Sequence, residues 1–96
     1  MPYGPKVVLH CRSRARPHLD ELVAAFLRDG VKFVGVVGVN ASYVEDLVDE
    51  LVVGDGFDPN RFILTSSHEG ESLEEALEFA RNLSDDYEGE VQLVEV

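Results

Sequence analysis

The sequence predicts an α/β fold in which a four-stranded, mainly parallel sheet packs against three helices. The first observation is that apolar runs alternate with stripes of helical period, in the order β-α-β-α-β-α-β. The second is that the connections are short, which favours parallel strands joined by right-handed crossovers. With strands numbered along the chain, we expect the order 2-1-3-4, with 3-2-1-4 as the alternative. Both orders place the first strand beside the topological switch point of the sheet.

Four short apolar segments predict the strands. The first two have no polar face, so both of their faces should be covered. Two glycines in the second segment, Gly35 and Gly38, indicate close backbone approach. The last segment alternates apolar and polar residues, which favours a position at the edge of the sheet. The predicted strands are Lys6–Cys11, Lys32–Val39, Arg61–Thr65 and Glu90–Val96.

Three amphipathic segments between the strands predict the helices. Pro17 suits the first position of the first helix, because its missing N–H needs no partner there. Two pairs of residues have the spacing of a capping box, in which each side chain binds the other residue's backbone N–H. Ser42 with Glu45 should begin the second helix, and Ser72 with Glu75 the third.

Length and composition indicate a single small globular domain over residues 1–96. Hydrophobic residues make up 45% and charged residues 28% of the chain, which excludes a disordered or collagen-like protein. A sheet of this size covered by helices is a sandwich related to doubly wound, Rossmann-like folds.

Acidic residues dominate the charge, since 19 Asp and Glu stand against 8 Lys and Arg and the formal net charge is −11. Such a surface repels phosphate backbones and anionic lipids, so we expect neither nucleic acid nor a membrane as partner. A basic protein would be attracted and steered toward it. The alternative is that the acidity only keeps the protein soluble in a salty or crowded cytoplasm.

A single cysteine, Cys11, excludes an intrachain disulfide and a thiol–metal cluster. The first residues lack the apolar region of a secretion signal, and no apolar run reaches the roughly 18 residues of a membrane span. We therefore expect a cytoplasmic protein. The three histidines lack metal-ligand spacing, and no dinucleotide or phosphate-loop motif is present. The sequence therefore predicts no metal and no cofactor.

Three polar loops follow the first three strands, at the carboxyl ends where open parallel sheets bind ligands. These loops are His10–Pro17, Asn40–Tyr43 and Thr65–Glu71. Because the strands should be parallel, we expect the loops to meet at one edge of the sheet. Outside the first loop, the candidate residues at this rim are Asn40, Ser42, Ser66, Ser67 and His68.

Three arginines lie within five positions of the first loop. Arg12, Arg14 and Arg16 precede a predicted helix N-terminus, where guanidinium groups beside backbone N–H groups favour a small oxyanion. The alternative is a solvated loop whose arginines pair with surface carboxylates of this acidic protein.

Cys11 ends the first strand and begins this loop. One interpretation is a catalytic thiolate stabilised by the neighbouring arginines. The other is a small buried core residue. Strand side chains alternate, so His10 should point to the face opposite Cys11 and is a poor base for it. His68, from the third loop, is the better-placed candidate base.

The residues Val7-Val8-Leu9-His10-Cys11-Arg12-Ser13, then Arg16, an amphipathic helix and an apolar strand ending in Gly38, form a recognisable pattern. This segment, residues 7–38, resembles the active loop of rhodanese-type sulfurtransferases. The resemblance implies that Cys11 carries a persulfide, with Arg12 and Arg16 as anion contacts. Arg14 stands where the family's pattern has glycine, and the resemblance does not extend to the rest of the chain.

The sequence therefore favours a non-enzymatic binding or regulatory module for a protein partner over an enzyme. The alternative is a thiol-dependent, sulfurtransferase-like enzyme or a small-anion-binding domain that uses the loop Cys11–Arg16. The last strand, Glu90–Val96, is short and rich in valine, so it could pair with itself, and we expect a monomer or a weak dimer.

Overall fold

The computed structural model describes residues 3–12, 19–54, 62–83 and 89–96, and it confirms the predicted α/β order of elements. The predicted Pro17 start of the first helix lies outside the described residues. The strands are β1 Lys6–Cys11, β2 Phe33–Gly38, β3 Leu64–Ser67 and β4 Val91–Glu95. The helices are α1 Leu19–Asp29, α2 Ala41–Val53 and α3 Leu73–Arg81.

The four strands form one parallel sheet in the order β3-β2-β1-β4. The alternative order 3-2-1-4 is therefore confirmed, and the preferred order 2-1-3-4 is wrong. The physical reason lies in β3, which reads Leu-Thr-Ser-Ser and has no fully buried residue. Such a strand cannot fill the central position that the preferred order gave it. The apolar strands β1 and β2 occupy the centre, and β4 lies at an edge as predicted.

The helices lie on both faces of the sheet because the order in which successive strands are added across the sheet changes direction once. The chain steps from β1 through β2 to β3, so right-handed crossovers place α1 and α2 on one face. The return from β3 to β4 places α3 on the other. The core on the α1/α2 face includes Val7, Leu9, Val34, Val36, Val44 and Val48. The core on the α3 face includes Val8, Phe33, Val37, Ala76 and Ala80.

Gly38 confirms the predicted close backbone approach at the end of β2. Its φ is +106°, and a Cβ atom built there would lie 2.2 Å from the carbonyl oxygen of Cys11. The next residue, Val39, donates its N–H to that same oxygen at 2.9 Å. A side chain at position 38 would therefore collide with the end of β1 and force a backbone conformation that suits glycine.

The third strand and the second helix begin at other residues than predicted. The strand is Leu64–Ser67 rather than Arg61–Thr65, and the side chain of Phe62 is exposed. The third helix begins with the predicted capping box of Ser72 and Glu75. The second does not begin with a box, because its N-cap is Asn40 in the left-handed conformation, with no side-chain capping bond. The side chains predicted to form that box bind β3 instead.

Candidate functional site

The carboxyl ends of β2 and β3 and the start of α2 form a polar cluster, which we term the β2–β3 rim: Asn40, Ser42, Ser67 and Glu69. The hydroxyls of Ser42 and Ser67 are 2.8 Å apart. The Ser42 N–H donates to Oε1 of Glu69 at 3.3 Å. A carboxylate of the protein itself therefore occupies this N–H at the start of α2, where an external anion would otherwise bind.

A second contact joins α2 to β3 below the rim. The Thr65 hydroxyl donates to Oε2 of Glu45 at 2.5 Å. Since Thr65 pairs with Val34 and Ser67 with Val36, the hydroxyls of Thr65 and Ser67 lie on the α1/α2 face of the sheet. This explains why Ser42 and Glu45 form no capping box: their side chains are one helical turn apart on the side of α2 that faces β3.

On the opposite face, three side chains form a hydrogen-bonded chain, the Ser66–His68–Glu71 relay. The Ser66 hydroxyl lies 2.8 Å from Nε2 of His68, and Nδ1 of His68 lies 3.2 Å from Oε1 of Glu71. The imidazole is only 4% exposed. The ring lies over Gly35, where an added Cβ would lie 3.4 Å from Nε2. It contacts the ring of Phe79 edge-on, with 4.9 Å between the ring centroids.

The order of groups in the relay assigns the proton of a neutral His68 to one of its two ring nitrogens. An ionised carboxylate only accepts, so Nδ1 of His68 donates to Glu71 and Nε2 accepts from the Ser66 hydroxyl. A serine hydroxyl, an imidazole base and an orienting carboxylate stand in the sequence that activates a nucleophile. The same bonds also satisfy the polar atoms of a buried histidine, whose ring contacts Phe79 of α3.

Cys11 and His68 lie on opposite faces of the sheet, so His68 does not act as a base for this thiol. Cys11 is 1% exposed and packs in the core beneath α1 and α2, whereas His68 packs under α3. His10 faces away from Cys11, as predicted, and its Nδ1 lies 3.2 Å from Oε2 of Glu95. Both histidines are thus separated from the cysteine by the sheet itself.

Of the three arginines in the first loop, the structure describes Arg12. Its exposed guanidinium lies 3.8 Å from Oε1 of Glu95, at the switch point between β1 and β4. Arg14 and Arg16 lie outside the described residues. The loops that follow β1 and β3 both begin at the carboxyl end of the sheet. Because β2 lies between these two strands, the starting points of the loops are about 10 Å apart.

Comparison with families of known proteins gives a match over residues 1–96 to a family described as a domain of unknown function (DUF7684). The chain belongs to this family. Neither the curated proteins nor the solved structures contain a match to it. The functional argument for this DUF7684 domain therefore rests on its own geometry.

A concave region of the DUF7684 domain lies away from both polar clusters. This groove, with a volume of about 960 Å³, is lined by α1 and α2 residues that include Leu19, Leu47 and Leu51. The part of its lining that the structure describes holds carboxylates but no histidine, serine or cysteine. Within the described ranges, no three His, Cys, Asp or Glu side chains converge to hold a metal ion. No helix of those ranges is both long and apolar enough to cross a bilayer.

Two carboxylates at these clusters, Glu45 and Glu71, were not among the sequence candidates, whereas Glu69 was expected among the polar groups of the third loop. In the DUF7684 sequence they stand among 19 acidic residues, and nothing local distinguishes them from solvated charge. The capping-box spacing predicted that Glu45 pairs with Ser42, whereas its carboxylate accepts from Thr65. Only the pairing of β3 with β2 shows that hydroxyls and the imidazole lie within reach of these groups.

Proposed function

We propose that this domain is a binding module for a basic protein partner and that α2 is its principal acidic surface. The helix carries four carboxylates and neither lysine nor arginine. Glu45 is partly buried against β3, and Asp46, Asp49 and Glu50 are exposed. This concentration of negative charge on one helix is the observation that supports the proposal.

The charge on α2 weakens the helix that carries it. Glu45 and Asp49, like Asp46 and Glu50, stand four residues apart, and such like-charged pairs each destabilise a helix by about 0.2–0.5 kcal/mol. Asp49 and Glu50 also lie toward the C-terminus, where the helix dipole disfavours anions, and the last turn holds no basic residue. A cationic partner would relieve this repulsion and be steered to the helix.

The same charge favours protein over the other macromolecular partners. Phosphate backbones and anionic lipid surfaces would be repelled by a chain of net charge −11. A lone buried cysteine needs no oxidising compartment, so the proposed location of the module is the cytoplasm. The proposed oligomeric state is a monomer or a weak dimer.

The test compares two sets of charge-neutralised variants of the full chain. Partners captured from a native lysate are identified, purified and measured for Kd at low and high salt. We expect a basic protein whose Kd weakens about tenfold in the variant Asp46→Asn, Asp49→Asn, Glu50→Gln. The matched control also removes three charges, by Glu74→Gln and Glu78→Gln on α3 with Glu90→Gln before β4, and it should bind as the wild type does. Equal loss in both variants, or no purified protein that binds, would refute the proposal.

The alternative function, a sulfurtransferase-like enzyme or small-anion site at Cys11–Arg16, has less support. Thiol chemistry requires an accessible sulfur, and Cys11 is buried beneath α1 and α2. The anion reading requires free guanidinium groups, and Arg12 faces Glu95.

An enzymatic function on this chain is better supported by the relay, with Ser66 as nucleophile toward an activated ester. The Ser66 hydroxyl would attack the carbonyl carbon while its proton passes to Nε2 of His68, which then protonates the departing alcohol. Water would release the acyl group from Ser66. A fluorophosphonate probe, which displaces fluoride on attack, should label the wild type and Ser67→Ala but not Ser66→Ala. Absence of label on Ser66 would eliminate this candidate.

A further inference from the structure

We infer that the partner docks as an extended segment of alternating apolar and basic residues, which adds to the sheet as a fifth strand along β3. This inference rests on the proposed function and specifies where and how the basic partner binds. It is carried by three features of the same edge: outward-pointing backbone groups, exposed apolar side chains on one face, and, on the other face, carboxylates that form no ion pair with a described lysine or arginine.

The backbone of β3 presents hydrogen-bonding groups away from the sheet. The N–H of Leu64 donates to Lys32 and that of His68 to Val36, both across to the β2 side. Residues of a parallel strand alternate, so Thr65 and Ser67 point their N–H and C=O groups to the outer edge, which no strand of the described residues covers. The strand contains neither lysine nor proline, two residue types that protect edges from pairing.

Apolar side chains flank this edge on the α3 face. Leu64 is 36% exposed, Phe62 is 63% exposed and Phe79 is 45% exposed. Phe62 and Leu64 alternate with Ile63, which is buried in the opposite core, so they share the α3 face with Ser66. Phe79 on α3 contacts the ring of Phe33, with 5.9 Å between the ring centroids. Phe33 pairs with Leu64, so Phe79 extends the apolar patch onto α3. Apolar side chains of an added strand would cover this patch.

Carboxylates flank the edge on the other face. Glu45 binds Thr65, and Glu69 binds the Ser42 N–H at the rim. Within the described part of the chain, no lysine or arginine forms an ion pair with either carboxylate. Because side chains of a strand point alternately to its two faces, basic residues would meet these carboxylates while apolar ones meet the phenylalanines.

The other open edge, β4, lacks this combination. Its Glu95 already lies against Arg12 and His10, and its single strongly exposed apolar side chain is Leu93. Charge and apolar surface therefore both favour β3 over β4.

The test uses the full chain, isotope-labelled, with the probe peptide acetyl-Lys-Val-Lys-Val-Lys-Val-Lys-Val-amide. Amide hydrogen exchange of Thr65 and Ser67 should slow about tenfold at saturation, while that of Leu93 on β4 should not change. A peptide with serine in place of valine keeps the charge and should bind about tenfold more weakly.

Two variants separate strand addition from simple charge attraction. Ser67→Pro removes an outward N–H and preserves the pairing to β2, so it should weaken binding about tenfold and lose the exchange protection of Thr65, the amide that remains to be measured, whereas Ser67→Ala should retain both. Should the proline variant not fold, Leu64→Lys places a charge in the apolar patch and should weaken binding similarly.

The outcomes distinguish this inference from the proposal on which it rests. Binding that depends on α2 charge but leaves Thr65 and Ser67 unprotected overturns strand addition and leaves the acidic module standing. Protection at Leu93 instead, or protection that rises with protein concentration without peptide, also overturns it, in favour of β4 or of a second copy. Binding that is indifferent to neutralisation of α2 refutes the proposed function itself.

Discussion

The ammonium of Lys6, on the central strand β1, donates a 2.7 Å hydrogen bond to the carbonyl oxygen of Ala80 near the end of α3. The same group donates to the carbonyl oxygen of Leu83 at 3.2 Å. A buried lysine thus binds the C-terminal end of α3, where carbonyl groups lack helical partners and the helix dipole favours a cation. This contact ties α3, the one helix that the described residues place on that face, to the centre of the sheet.

Replacing Lys6 should therefore weaken the fold. We expect Lys6→Met, which keeps the apolar stem and removes the donor, to lower the free energy of unfolding by about 1–2 kcal/mol. Urea denaturation measures the effect, and Lys32→Met at an exposed site should change it little. A Lys6→Met variant as stable as the wild type would show that the bonds do not compensate for burial of the charge.

Gly38→Ala should be among the more damaging single substitutions. The new Cβ would meet the Cys11 carbonyl oxygen and hold a φ of +106°, so we expect a loss of about 2–5 kcal/mol. Gly30 provides the matched control, because its φ is +79° but nothing lies within 4 Å of the added atom. Gly30→Ala should cost only about 1–2 kcal/mol. Thermal unfolding of both variants compares them, and equal losses would contradict the steric argument.

The thiol of Cys11 should react only when the domain opens. Its burial beneath α1 and α2 keeps an aromatic disulfide reagent away from the sulfur. The rate of modification should rise with urea in parallel with unfolding. Rapid labelling of the native protein without denaturant would instead place the sulfur within reach of solvent and revive thiol chemistry at this loop.

Asp49→Lys should stabilise the domain while weakening the binding of a basic partner. The substitution replaces a like-charged pair with Glu45 by an attractive one and places a cation toward the C-terminus of α2, so we expect a gain of about 0.5–1 kcal/mol. Glu90→Lys makes the same change in net charge outside the helices and should leave stability nearly unchanged. Urea denaturation and peptide binding are measured on both. If binding is unaffected in Asp49→Lys, α2 is not the contact surface.

The capping box of α3 predicts a dependence of stability on pH. The Ser72 N–H donates to the Glu75 carboxylate at 2.8 Å, and this bond, followed by the one with the Ser72 side chain, lowers the pKa of Glu75. A lowered folded-state pKa means that the stabilisation is present above the unfolded pKa and is lost as pH falls through the folded pKa. The difference in stability between wild type and Glu75→Gln should therefore be present at neutral pH and disappear in acid.

The carboxyl titration of Glu75, followed by NMR, checks the same point directly. It should have its midpoint below that of an unperturbed glutamate. In Ser72→Gly, which removes the hydroxyl but keeps the backbone donor, the midpoint should move only part of the way back. A full return would show that the side chain, and not the backbone N–H, causes the shift.

Patterns within a short stretch of sequence predicted the helices and strands well where apolar residues recur at a regular spacing. The stripe of α3 and its box of Ser72 and Glu75 depend on residues a few positions apart, so both were predictable. The box of Ser42 and Glu45 has the same spacing and failed, because hydroxyls on β3 bind these side chains. A capping motif competes with tertiary partners that spacing along the chain does not specify.

The candidate site was predictable only in part for the same reason. Ser66 and His68 were expected at the rim because they follow a strand, but the alternation that puts Ser66 under α3 and Ser67 under α2 depends on the starting residue of β3. The predicted strand ended at Thr65, so these positions counted as one loop. Glu71, which completes the relay, was one carboxylate among many.

By itself, the amino-acid sequence determined the α/β class, the succession of strands and helices, the burial of β1 and β2, and the acidity of the surface, because these follow from composition and from periodicity within each segment. Only the tertiary structure decided the strand order, the separation of Cys11 from His68 by the sheet, and the hydroxyl–carboxylate contacts between α2 and β3. Those features depend on which segments pair at long range, where differences between competing arrangements are settled by packing of whole faces rather than by neighbouring residues.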